Sequence, residues 1–169
     1  NMAKMDEMRS KANAMPDRTY KDRLTVGRGN DQVDLYYFGR GHTNGDTIVV
    51  FPALRTMHTG DLFAEKQPPL LDGGNGGSGV AYPDTLEKAV KGIRNVDMVI
   101  PGHSAVMRWA DFVEYAEFNR EFLKAVENLH HAGRTPAQAG AELTLPAKFN
   151  AYVGAAPPAP GLEFLGSGQ

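Results

Sequence analysis

Three short apolar runs end in the same way, and that shared ending constrains the chain most. "VDLYYF" (33–38) runs into Gly39-Arg40-Gly41-His42. "RTMH" (55–58) runs into Thr59-Gly60-Asp61, and "DMVI" (97–100) into Pro101-Gly102-His103. Each run has the apolar and β-branched character of a strand, and each closes on a glycine beside an imidazole or a carboxylate. In folds that layer helices on a sheet, ligands gather in the crevice beyond the strands' carboxyl ends. A histidine or aspartate in one such turn is ordinary, since aspartate is also a common turn residue. Three in one short chain point to a site.

The remaining elements surround these runs. "RLTVG" (23–27) pairs naturally with 33–38 across the turn residues Gly29-Asn30, and "TIVVF" (47–51) reads as a buried strand closed by Pro52. Residues 2–14 carry methionines at helical spacing, and Pro16 ends that segment. "PDTLEKAVKGI" (83–93) places Leu86, Ala89, Val90 and Ile93 on one face, with Asp84 and Glu87 spaced as a capping box. The longest helix is predicted over 109–133. Its stripe runs Phe112, Tyr115, Ala116, Asn119, Phe122, Leu123, Val126 and His130, and Gly133 is placed to cap it. Thr135-Pro136-Ala137-Gln138 starts a further short helix, and 154–161 reads as loop. The order predicts an α/β (α+β) domain in which one mainly antiparallel or mixed sheet is covered by helices on one face only. A single domain fits the 169 residues, with 134–169 as a helical and loop extension.

Composition excludes several classes. With 41% hydrophobic and 22% charged residues, the chain has a soluble globular profile, left open between cytoplasm and periplasm. The net charge of −2 and the lack of a basic run argue against nucleic acid and anionic membrane as partners. No cysteine is present, so disulfides, thiolate metal sites and cysteine nucleophiles are out. "DGGNGGSG" (72–79) has five glycines in eight residues. It reads either as a flexible loop or as a loop whose glycines allow close backbone approach beside a site. No Lys-Ser or Lys-Thr follows it, so it is not a P-loop.

"GHTNGDT", then "TGDLF", then "IPGH" resemble the second half of a metallo-β-lactamase superfamily hydrolase, from roughly Pro16 to His103. The resemblance implies half of an αββα sandwich with metal at the edge where two sheets meet. His42 then matches the third histidine of a first metal site. Asp61 matches the carboxylate that bridges two metals or binds the second, and His103 the last histidine of the second site. Asp46 matches a polar residue that supports its loop without ligating. Asn75, Gly76, Gly77 and Ser78 fall in a loop expected to border the substrate. The implied chemistry is that of one or two zinc ions, with a metal-activated water attacking a carbonyl or related ester or amide centre of a small molecule.

One departure is large. The family's upstream His-x-His-x-Asp-His motif, with its proton-managing aspartate, has no counterpart among this chain's five histidines: His42, His58, His103, His130 and His131. The chain also opens Asn1-Met2. The expectation is therefore a truncated or proteolysed piece, a missing N-terminal half supplied by another chain, or a homodimer that buries the bare sheet. In an isolated half, the three donors are expected to hold metal weakly or not at all. The competing reading is a non-catalytic dimerisation or binding module with relict ligands. His58 is expected to be a non-ligand, and His130 and His131 to favour the helix dipole at a C-terminus.

Overall fold

A computed structural model describes residues 18–152. The helix expected over 2–14 and the loop expected over 154–161 lie outside the described residues. The described chain forms one six-stranded mixed sheet with the strands in sequence order: β1 (Arg23–Val26), β2 (Val33–Tyr36), β3 (Ile48–Phe51), β4 (Thr56–Gly60), β5 (Met98–Pro101) and β6 (Met107–Arg108). Every neighbouring pair is antiparallel except β4 and β5, which run parallel. A parallel pair needs a long crossover. Residues 61–97 supply it and contain helix α1 (Tyr82–Gly92). Helices α2 (Trp109–His131) and α3 (Pro136–Glu142) follow the last strand.

Alternation along the strands sends one set of side chains to the helices. Ile48, Val50, Met57 and Val99 are all at most 5% exposed. They meet Leu86 and Ala89 of α1 and Phe112, Tyr115 and Phe118 of α2. The other set faces away. The row Leu24, Leu35, Val49, His58 and Ile100 is in register across five strands, and its members are half-buried to exposed, with Ile100 at 37%. Among the described residues the helices lie on one face of this mixed sheet, the arrangement that the sequence predicts.

Helix ends follow local chemistry, with one correction. Gly133, at φ +74°, donates from its amide to the His130 carbonyl and ends α2. Thr135 and Gln138 form a reciprocal capping box at α3, with each side chain accepting from the other's backbone amide. The capping box expected at Asp84 and Glu87 is absent. Ala81 occupies the N-cap without a side-chain bond, and both carboxylates instead grip Arg120 of α2, Glu87 Oε1 at 2.7 Å. The two residues lie one turn apart on the face toward α2, so a single guanidinium fork reaches both.

Phe118 lies off the expected α2 stripe, yet it is fully buried. Residues 147–152 fold back over it, and Phe118 stacks on Tyr152 at 4.4 Å between ring centroids, with Phe149 edge-on. Pairs of this kind contribute about 0.5–1.5 kcal/mol beyond the area they bury.

Candidate metal centre

The turn after β2 is built before its histidine is presented. Gly39 sits at φ +138°, and the buried hydroxyl of Thr85 in α1 donates to the Arg40 carbonyl at 2.7 Å. A side chain at Gly39 would meet that hydroxyl at 2.7 Å. Asp46 turns its carboxylate back into its own loop. It accepts from the Thr43 amide at 3.0 Å and from the Thr43 hydroxyl at 2.7 Å. Asp46 thus ties the loop to its own Thr43. His42, between these anchors, places Nδ1 3.2 Å from the Leu70 carbonyl.

The turn after β4 needs glycine at residue 60, where φ is +52° and ψ −146°. The chain then makes one 3-10 turn, Asp61–Phe63. The buried Thr59 hydroxyl donates to the Phe63 carbonyl at 3.2 Å. The Tyr82 hydroxyl, from the first turn of α1, donates to the Asp61 and Leu62 carbonyls, both at 3.1 Å. The turn after β5 is fastened alongside: the Gly102 amide donates to Phe63 O at 3.2 Å and the His103 amide to Ala64 O at 3.0 Å. Gly102 permits this approach, since a Cβ there would lie 2.5 Å from Asp61 Oδ1.

The three turns bring His42, Asp61 and His103 together. Asp61 lies between the imidazoles, its Oδ2 3.4 Å from His42 Nε2 and its Oδ1 2.9 Å from His103 Nε2. Exposure grades across the trio, from 16% for the His42 side chain through 33% for Asp61 to 62% for His103. Among the described residues, no group of three or more His, Asp and Glu side chains stands as a preformed metal cage.

The donor chemistry nevertheless suits a divalent metal. A carbonyl only accepts, so His42 donates from Nδ1 to Leu70, and its Nε2 is turned toward a carboxylate oxygen of Asp61. The contact of His103 is shorter, at 2.9 Å between Nε2 and Asp61 Oδ1.

The other histidines stay apart from this trio. His58 lies on the face of β4 away from the helices and contacts the Ile100 carbonyl through Nδ1 at 2.9 Å, while His130 and His131 end α2. The glycine-rich loop is tied down. The Asp72 amide donates to His42 O at 2.9 Å, the Ser78 amide to Gly41 O at 2.9 Å, and the Asn44 amide to Asn75 O at 3.0 Å. Asn75, Gly76, Gly77 and Ser78 thus lie directly against the His42 loop. Sequence reasoning did not single out Tyr82 or Thr85. The available signal was a tyrosine and a threonine three apart on the apolar side of an amphipathic helix, where a buried hydroxyl must find an acceptor.

Known proteins resemble the chain over part of its length. No protein-family model matches it. A metallo-β-lactamase type 2 of Bacteroides fragilis is 25% identical over 103 residues, covering 61% of this chain and 41% of that protein. A metallo-β-lactamase type 2 of Bacillus sp. (strain 170) is 28% identical over 78 residues, 46% of this chain and 30% of that protein. Among solved structures, the metallo-β-lactamase from Pontibacter korlensis superposes with a TM-score of 0.54 at 20% identity, covering 70% of this chain and 54% of that one. The DIM-1 metallo-β-lactamase gives 0.50 at 18% identity, with 59% and 46% covered. Over the matched part, the chain is similar to metallo-β-lactamases in sequence and shares the fold of one portion of them. The chain spans less than half the length of the curated relatives it matches.

Proposed function

We propose that the protein is a metal-dependent hydrolase acting on a small molecule, with His42, Asp61 and His103 as the contribution of this part of the fold to a zinc centre. The observation that carries the reading is the meeting of two imidazoles on one carboxylate at the ends of three strands. Zinc held there would supply Lewis acidity toward a carbonyl or related ester or amide centre and would activate water. The chain's own residues do the holding. Leu70 O orients His42, Asp46 locks the loop beneath it, and Tyr82 fixes the backbone that carries Asp61. Asn75 to Ser78 stand beside His42, where they would border a substrate.

Three donors make at most an open site, so the reading includes further ligands and a general base from outside this stretch. It also includes a second layer over the apolar face of the sheet, formed by the remainder of the protein. Both parts are supported by the fraction of the relatives' length that the chain spans. The test is zinc competition binding and zinc-dependent hydrolysis on a panel of lactam, lactone, ester and thioester substrates, using the full protein with His42→Ala and Asp61→Asn as variants. Tight zinc binding that both variants weaken, with zinc-dependent turnover, is the expected result. Zinc affinity indifferent to both substitutions would sink the proposal.

A further inference from the structure

The loop at 72–78 looks in sequence like slack, but in the structure it is a strap drawn tight against the back of the His42 turn. Three backbone hydrogen bonds join them, and Arg40 adds a fourth from its side chain, Nε to the Gly76 carbonyl at 2.8 Å. Asp72 stiffens the strap's own turn by accepting from Asn75, at 3.0 Å from the amide and 2.6 Å from the side chain. At the closest point, a Cβ built on Gly77 would lie 2.2 Å from the His42 carbonyl oxygen and 2.9 Å from the Asp72 carbonyl oxygen. Both obstacles are backbone atoms, so no side-chain rotation relieves the clash.

Gly77 has no positive φ, so its conformation is open to alanine. What the position requires is the absence of a Cβ. Gly73 is the opposite case, with no atom near its would-be Cβ and an ordinary φ.

We infer that Gly77 is a positioning residue: the strap presses on the His42 carbonyl through it and thereby sets where the imidazole stands relative to Asp61. The metal consequence rests on the proposed role of His42, whereas the positional claim can be read without metal. In wild-type, metal-free full chain, the amides of Asp72, Asn44 and Ser78 should exchange at least about tenfold more slowly than in an open loop. Gly77→Ala should abolish that protection and shift the His42 imidazole resonances in NMR. It should also weaken zinc binding per folded molecule by about 10–100-fold, the range for residues that orient a ligand. Gly73→Ala should leave all three readouts unchanged.

A merely structural glycine would lower stability toward urea while leaving the imidazole signal and the zinc affinity of the folded fraction alone, and that outcome overturns the inference. Unprotected wild-type amides overturn it too. If Gly77→Ala does not fold, Arg40→Met loosens the strap from the surface and should move the same resonances in the same direction; no movement counts against the strap. A wild-type protein that binds no zinc removes the metal reading, while the exchange and imidazole measurements still decide the strap.

Discussion

Tyr82→Phe removes one oxygen and almost no volume, and the structure says where the loss falls. Tyr82 is fully buried, and its hydroxyl is shared between the carbonyls of Asp61 and Leu62 at 3.1 Å each. Phenylalanine keeps the packing and leaves two acceptors of the Asp61 turn without their donor. Leaving a buried acceptor unsatisfied costs about 1–3 kcal/mol, against about 0.5–1.5 kcal/mol for an average hydrogen bond that water can replace. A bifurcated bond at this length places the loss at about 1–3 kcal/mol, and at this chain size each kcal/mol lowers Tm by about 2–4 °C. Urea unfolding followed by circular dichroism measures it. Burial pushes the phenol well above its ordinary pKa, so the hydroxyl remains a donor through neutral and mildly alkaline pH. A raised pKa in the folded state gives stability that is complete below the unfolded value, about 10, and lost only as pH rises through the folded one. The difference between wild type and variant should therefore be the same at pH 6 and pH 9. A loss under about 0.5 kcal/mol, or one that changes between those pH values, would refute the assignment of Tyr82 as the anchor of the Asp61 turn.

Two further outcomes are expected. Asp34 is buried on β2, beside the edge strand β1; burial pushes its carboxyl up, but hydrogen bonds from Thr25, Arg23 and Gln32 outweigh this and hold it below the ordinary value. A depressed pKa stabilises above the unfolded value and the benefit is lost as pH falls through the folded one, so Asp34→Asn should be less stable than wild type at pH 7, with the gap closing in acid below about pH 4. Val49→Lys places a charge in the middle of the sheet face that points away from the helices; if a second layer covers that face in the full protein, thermal unfolding should show a loss above about 2 kcal/mol, whereas a surface position would stay within about 0.5 kcal/mol.

The strands and the three turns were legible because their signals are local: β-branched runs, glycine at the turn, a side chain beside it. Gly60 at φ +52° and Gly133 at φ +74° sit where a sequence reader would place them. β6 was not legible, since two residues, Met107 and Arg108, carry no period. Phe118 is not on the stripe because its burial depends on residues 147–152 returning over α2, a contact between segments that no helical stripe encodes. The spacing of Asp84 and Glu87 fits a cap, but Arg120, 36 and 33 residues away, competes successfully for both. The strap was the hardest case. A glycine needed for slack and a glycine needed for backbone contact look identical in sequence, and only the 2.2 Å approach at Gly77 separates them.

The first turn of α1 explains why the three donors arrive together. Tyr82 and Thr85 are three residues apart and lie on one side of the helix. Thr85 holds the Arg40 carbonyl, two residues before His42, and Tyr82 holds the carbonyl of Asp61 itself. The turns after β2 and β4 are thus mounted on one rigid element, and the turn after β5 is hydrogen-bonded to the second of them through Phe63 and Ala64. Each donor is placed by backbone bonds made elsewhere, so the imidazoles and carboxylate need only their own rotamers to meet. Strain at α1 should reach His42 and Asp61 together, whereas strain at the strap should reach His42 alone. In the metal-free chain, Tyr82→Phe combined with Thr85→Val should shift the His42 and His103 imidazole resonances together, because the two hydroxyls hold the Asp61 and Arg40 carbonyls, whereas Gly77→Ala should shift those of His42 alone; equal patterns from the two variants would refute the shared mounting.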